Sequence, residues 1–100
     1  MAMATVRFHR LAAAEYRAAL AWYHVRSEKA AWDFRDEIRR AIQLLETAPD
    51  QGTVFKGPYL WMRLRRFPFL LYYKVVSPDT VTVYAVAHAR RRLGYWLRRK

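Results

Sequence analysis

Ala31, Phe34, Ile38, Ala41, Ile42 and Leu45 recur every three or four residues. Only an α-helix turns that period into a single apolar stripe. Asp36, Arg39, Arg40, Gln43 and Glu46 fall on the other side, so this segment must face a core on one side and water on the other. Ser27 stands just before the stripe, where its hydroxyl can cap the first turn. Ala48-Pro49 ends it, because proline disfavours helix in the residue before it. Upstream, residues 11–25 carry Leu11, Ala14/Glu15, Ala18, Trp22 and Val25 at helical spacing, which places the apolar ones on one face. The break at Arg26-Ser27 is short and predicts two antiparallel helices joined by a tight turn.

A helical hairpin needs something to cover, and the rest of the chain offers a sheet. Residues 4–9 alternate, with Val6 and Phe8 against Arg7 and His9, and predict a short first strand. Residues 49–59 hold Pro49, Gly52, Gly57 and Pro58 and predict the longest loop. Residues 60–66 then alternate, with Leu60, Met62 and Leu64 on one face and Trp61, Arg63 and Arg65 on the other. Residues 69–76 and 80–88 are β-branched and aromatic, and Ser77-Pro78-Asp79 turns one into the other as a hairpin. The expected order is β-α-α-β-β-β. This is an α+β fold, with an antiparallel sheet and a helical hairpin packed on one face. A length of 100 residues suits a single domain spanning 1–100, with a basic tail over about 89–100.

Charge is the next constraint. Residues 1–50 hold eight Arg/Lys against seven Asp/Glu, whereas residues 51–100 hold eleven against Asp79 alone. Nearly the whole net charge of +11 therefore sits in one half. Self-repulsion makes such a concentration costly, so it points to an acidic or polyanionic partner, with a solvated basic face as the plain alternative. With no cysteine there is no disulfide, thiolate chemistry or Cys-based zinc site. No apolar run reaches the roughly 20 residues of a membrane span. The N-terminus lacks the basic-then-apolar order of a secretory signal, so a cytoplasmic protein without membrane contact is expected.

The basic half supplies the candidate site. On the expected strand, Arg63 and Arg65 leave the same face of the sheet, opposite the helices. They are either functional groups or the polar cover of an open face. His88 ends the last strand and shares a face with Tyr84 and Thr82 by alternation. It serves either structure or proton transfer. Arg90-Arg91-Arg92, Tyr95-Trp96 and Arg98-Arg99-Lys100 interleave cations with aromatics, a pattern suited to a phosphate backbone with stacked bases or to an acidic protein groove. His9, His24 and His88 lie in three separate elements without ligand spacing, so neither a metal nor another cofactor is expected. Catalysis, if present, would have to use Arg, His, Tyr or Lys. That set suits metal-independent RNA cleavage by the 2′-hydroxyl.

The run Arg65-Arg66-Phe67-Pro68-Phe69-Leu70-Leu71-Tyr72-Tyr73-Lys74-Val75 resembles the central signature of RelE/ParE-family toxins, also called plasmid stabilisation proteins. So does Val86-Ala87-His88-Ala89-Arg90-Arg91-Arg92-Leu93-Gly94-Tyr95-Trp96, with Leu93 where proline is usual. The helical stretch with Trp22-Tyr23, Phe34 and Ile38 is similar as well, and the likeness covers residues 5–98. The resemblance implies the toxin of a type II toxin–antitoxin system, neutralised by a cognate antitoxin whose flexible segment wraps it. A homodimer and a hetero-oligomer with the antitoxin are both compatible with it.

Two modes of action are implied. ParE-like members poison DNA gyrase and are not known as enzymes, whereas RelE-like members cleave messenger RNA on the ribosome. For the nuclease, the resemblance maps catalytic roles onto Arg65, His88, Arg90 and Tyr95. Arg63, Arg65, Arg91, Arg92, Trp96 and Arg98 would contact RNA or another target. Leu70 stands where these nucleases place an arginine, and Trp61 where a lysine is common. Loss of one charge-stabilising cation weakens such a reaction by on the order of 10²–10³. The balance tilts toward the gyrase mode, with a non-toxic binding scaffold as a third reading.

Overall fold

The computed structural model describes residues 3–100. One residue turns the helical hairpin. Helix α1 (Arg10–Arg26) ends where the Ser27 amide donates to the Tyr23 carbonyl at 2.8 Å. Helix α2 (Glu28–Thr47) begins where the Ser27 hydroxyl accepts from the Ala30 amide at 3.1 Å. Ser27 thus serves both ends, satisfying one orphan donor of α2. The α2 stripe is buried as its spacing dictates, through Ala31, Phe34, Ile38, Ala41 and Leu45. The helix stops at Ala48, before Pro49.

The α1 stripe departs from expectation. Leu11, Trp22 and Val25 face solvent, Val25 at 82% exposure. The buried side is the neighbouring one, where Ala12 and Ala19 are enclosed and Tyr16, Leu20 and Tyr23 pack against the core. Two apolar stripes compete on α1, and the one with small residues wins because alanines let the helix come close to the sheet. Trp22 is left outside, with the Arg26 guanidinium 3.7 Å from its ring centroid.

The sheet has five strands: β1 (Thr5–Phe8), β2 (Thr53–Lys56), β3 (Tyr59–Arg63), β4 (Phe69–Ser77) and β5 (Thr80–His88). Their order is β1-β5-β4-β3-β2. The pairs along β2-β3-β4-β5 are antiparallel, and β1 alone runs parallel to its neighbour β5, while the helical hairpin carries the chain from β1 at one edge to β2 at the other. Strand β2 lies within the stretch expected as loop. It is a four-residue edge strand paired on one side only, which leaves little periodicity to find.

Both faces of the sheet are covered. The helices seal one face over Leu64, Leu71, Tyr73, Val81, Val83 and Val86. Against the other lies the segment after β5, whose Trp96 packs with Tyr59, Tyr72, Tyr84 and Phe55. Leu60, Met62 and Leu64 do face the helices and Trp61 the opposite side, as alternation requires. That opposite face is not open, however. It is a second, aromatic core.

Strand β5 carries a bulge. Tyr72 pairs with Ala85 but Tyr73 pairs with Val83, so Tyr84 has no partner opposite it. The extra residue reverses the alternation downstream. Val81, Val83 and Val86 enter the helix-side core, whereas Tyr84 and Ala87 point to the Trp96 side.

Candidate functional site

The candidate residues gather at the end of the sheet where β3 stops, β4 starts and β5 stops, although not as alternation predicts. Arg63 is the last residue of β3 and is exposed. Arg65 lies past the strand, so the two arginines do not share a sheet face. The Arg65 amide donates to Glu37 Oε2 on α2, and its Nε lies 3.5 Å from the same oxygen. Glu37, only 6% exposed, also takes a two-pronged bond from Arg40. Burial alone would raise the Glu37 carboxyl. The bonds and charges of Arg40 and Arg65 outweigh it and hold the group below its ordinary value. Arg66 completes the turn in the left-handed region at φ 66°.

His88 does not share a face with Tyr84. The bulge turns it to the helix side, where it lines a groove of about 450 Å³ with Ala18, Trp22, Phe69, Arg91 and Glu15. Its ring meets Phe69 edge-on at 5.2 Å, and its Nδ1 accepts from the Arg90 amide at 3.0 Å. From there, ring contacts run through Phe69 to Phe34 and Tyr23 and on to Phe67. This aromatic nest lies between the His88 groove beside α1 and the Glu37 anchor of Arg65 on α2.

Residues 89–100 form a chain of tight turns, not a frayed tail. Ala89 donates to Pro68 O at 2.7 Å, and later amides of the segment bond back three residues. Gly94 supplies a positive φ of 75°. Trp96, at 1% exposure, cannot contact a target directly, which corrects its expected binding role. Its Nε1–H lies among rings without a conventional acceptor. Arg90, Arg91, Arg92 and Arg98 are exposed. The Arg91 guanidinium stacks on Tyr95, 3.9 Å from the ring centroid, while Arg98 lies in a polar hollow with His9 and Arg10.

Glu15 is the organiser that sequence reasoning missed. It accepts from Tyr95 Oη at 2.5 Å, from both terminal nitrogens of Arg99 and from the Val86 amide of β5 at 3.0 Å. Burial would raise its carboxyl, but the bonds from Arg99, Tyr95 and Val86 together lower it. Burial and the adjacent Glu15 carboxylate raise the Tyr95 phenol strongly. The tyrosine stays neutral, its proton committed to Glu15. An acid within an alanine-rich helix was the only signal of this role.

The residues assigned to cleavage therefore fall in different settings. His88 and Arg91 share a groove, Tyr95 is tied beneath Arg91, Arg90 is free in solvent and Arg65 is held on the α2 side. Leu70 and Trp61, the two departures from a nuclease pattern, pack in the aromatic core around Trp96.

A two-helix hairpin on such a sheet, with a basic C-terminal segment folded over its far side, is the RelE/ParE toxin fold of type II toxin–antitoxin systems. Residues 6–93 match the family described as the ParE toxin of the type II toxin-antitoxin system parDE, and the chain belongs to that family. No curated protein matches it. A solved structure titled "Chromosomal ParDE TA system from P. aeruginosa" is similar at a TM-score of 0.71 and 22% identity, covering 86% of this chain and 96% of that one. No helix among the described residues is long and apolar enough to cross a membrane.

Proposed function

We propose that this toxin arrests growth in the cytoplasm by binding an essential protein target, with DNA gyrase the candidate, and not by cutting RNA. One observation carries the reading: the Tyr95 hydroxyl, which a RelE-like reaction would need, is bound to Glu15 and held neutral. The filling of the Leu70–Trp61 face by Trp96 supports it. A cognate antitoxin neutralises the protein by covering apolar grooves of the helical hairpin, such as the hollow of about 380 Å³ lined by Leu20, Ala21, Trp32 and Arg35. Purified toxin should stall gyrase-dependent supercoiling and leave ribosome-bound messenger intact. New RNA 5′ ends without gyrase–DNA breaks would sink this reading. They would favour a ribosome-dependent nuclease built on Arg65, His88, Arg90 and Tyr95, for which the shared groove of His88 and Arg91 is the supporting observation.

A further inference from the structure

Helix α1 buries one apolar stripe and leaves another in solvent. Leu11, Ala14, Ala18, Trp22 and Val25 recur every three or four residues and are all exposed, a strip about 20 Å long. A continuous exposed apolar patch of this kind marks a contact surface. Ala18 and Trp22 form one wall of the groove of about 450 Å³ that His88 and Arg91 also line, together with Tyr23 and Phe69.

The charge left free beside this groove is positive. Glu15 lines it too, but its carboxylate is filled by Tyr95, Arg99 and the Val86 amide. Arg91 and Arg26 are exposed, and neither makes an ion pair among the described residues. The Arg26 guanidinium lies 3.7 Å from the Trp22 ring centroid, so a cation flanks the aromatic wall as well. Tryptophan, tyrosine and arginine in one pocket are the residues that anchor protein interfaces. Apolar walls between free guanidiniums call for a bulky apolar side chain flanked by carboxylates. A second copy would instead bring its own net charge of +11 against this one. A duplex offers phosphates but no apolar side chain to fill the groove.

We infer that the Trp22–Arg91 groove holds an acidic segment of the toxin's protein target. One bulky apolar side chain lies against Trp22 and Phe69, and carboxylates meet Arg26 and Arg91. This assignment rests on the reading that a protein is the target, and it adds where that protein is held and by what chemistry.

The test measures binding of the purified chain to DNA gyrase in the absence of DNA, and growth arrest on induction, for Trp22→Ala and Arg91→Glu. Trp32→Ala and Arg35→Glu are the matched controls, since both residues are exposed and line the hollow on another face of α1. Circular dichroism checks that all four remain folded. Trp22→Ala should weaken gyrase binding by about 30-fold or more, the loss typical of an aromatic anchor. Arg91→Glu should weaken it by about tenfold, chiefly through slower association. The controls should stay within about threefold of wild type. Suppose the wild-type chain binds no gyrase, yet the groove variants alone lose growth arrest and no new RNA 5′ ends appear. Gyrase is then the wrong protein, and the groove assignment stands. Unchanged binding and arrest in both groove variants would overturn it, as would equal losses in the controls. Binding of a labelled DNA duplex or single-stranded RNA that Trp22→Ala abolishes would give the groove to a nucleic acid, and a dimer that Trp22→Ala dissolves would give it to a second copy. A wild-type chain that neither binds gyrase nor arrests growth would refute the target reading and the groove assignment together.

Discussion

Glu15 and Arg99, eighty-four residues apart, meet in a two-pronged ion pair at 2.9 and 2.8 Å that fastens the last turns of the chain to the first helix. Arg99 also donates to the Tyr84 carbonyl at the β5 bulge. Replacing Glu15 with alanine strands a largely enclosed guanidinium, a phenol and the Val86 amide together. The expected loss is on the order of 3 kcal/mol, measured by chemical denaturation. Arg99→Ala should lose about as much, and the double variant less than the sum.

Stability should fall at both ends of the pH scale. Glu15 and Glu37 have folded values below the ordinary 4.5, so their contribution is fully present above about pH 4.5 and is lost as pH falls through the lower folded values. Tyr72, Tyr73 and Tyr95 are raised above 10, chiefly by burial, so their contribution is present below pH 10 and is lost as pH rises through the folded values. Thermal melts across pH check this. Glu15→Gln should flatten the acid limb, and an unchanged limb would refute the assignment.

Gly52→Ala should destabilise by about 1–3 kcal/mol. A Cβ there would lie 2.2 Å from Tyr73 Oη and 2.9 Å from the Trp61 carbonyl oxygen, while the Tyr73 ring is fully enclosed and cannot retreat. The Gly52 amide also donates to that hydroxyl at 2.9 Å. Combining the change with Tyr73→Phe should make it milder, because the worst clash disappears. Equal penalties in both backgrounds, read from melting temperatures, would disprove the steric account.

Tyr95→Phe should preserve toxicity in cells while lowering stability by about 1.5–3 kcal/mol, the usual range for a hydrogen bond to a charged group. A nuclease using that hydroxyl would instead lose toxicity at unchanged antitoxin binding. Growth curves on induction, read beside denaturation midpoints, separate the two.

The sequence made the elements legible wherever one period dominated. Helix α2, its Ser27 cap and its proline stop follow from local chemistry, as do β4, β5 and the turn between them. Helix α1 misled because two stripes share it, and only the sheet decides that Ala12 and Ala19 go inward while Trp22 stays out. Strand β2 had too few residues to show alternation. His88 was placed on the wrong face because a bulge leaves no mark in a β-branched run. The burial of Trp96 depends on long-range packing against Phe55, Tyr59, Tyr72 and Tyr84, and the anchoring of its neighbours Tyr95 and Arg99 on Glu15, contacts that no window of sequence contains. Arg63, Arg65 and Arg90–Arg92 were legible as two separate basic groups, but that both stand at one end of the sheet needed the strand register.

The bulge at Tyr84 makes β5 a phase shifter between two halves of one strand. Upstream, odd-numbered residues serve the helix-side core, and downstream even-numbered ones do. One residue gained or lost there would exchange the addresses of Val86, Ala87 and His88 while leaving the hairpin turn untouched. A change that looks minor in a sequence comparison would swap what the groove beside α1 displays for what the aromatic core encloses.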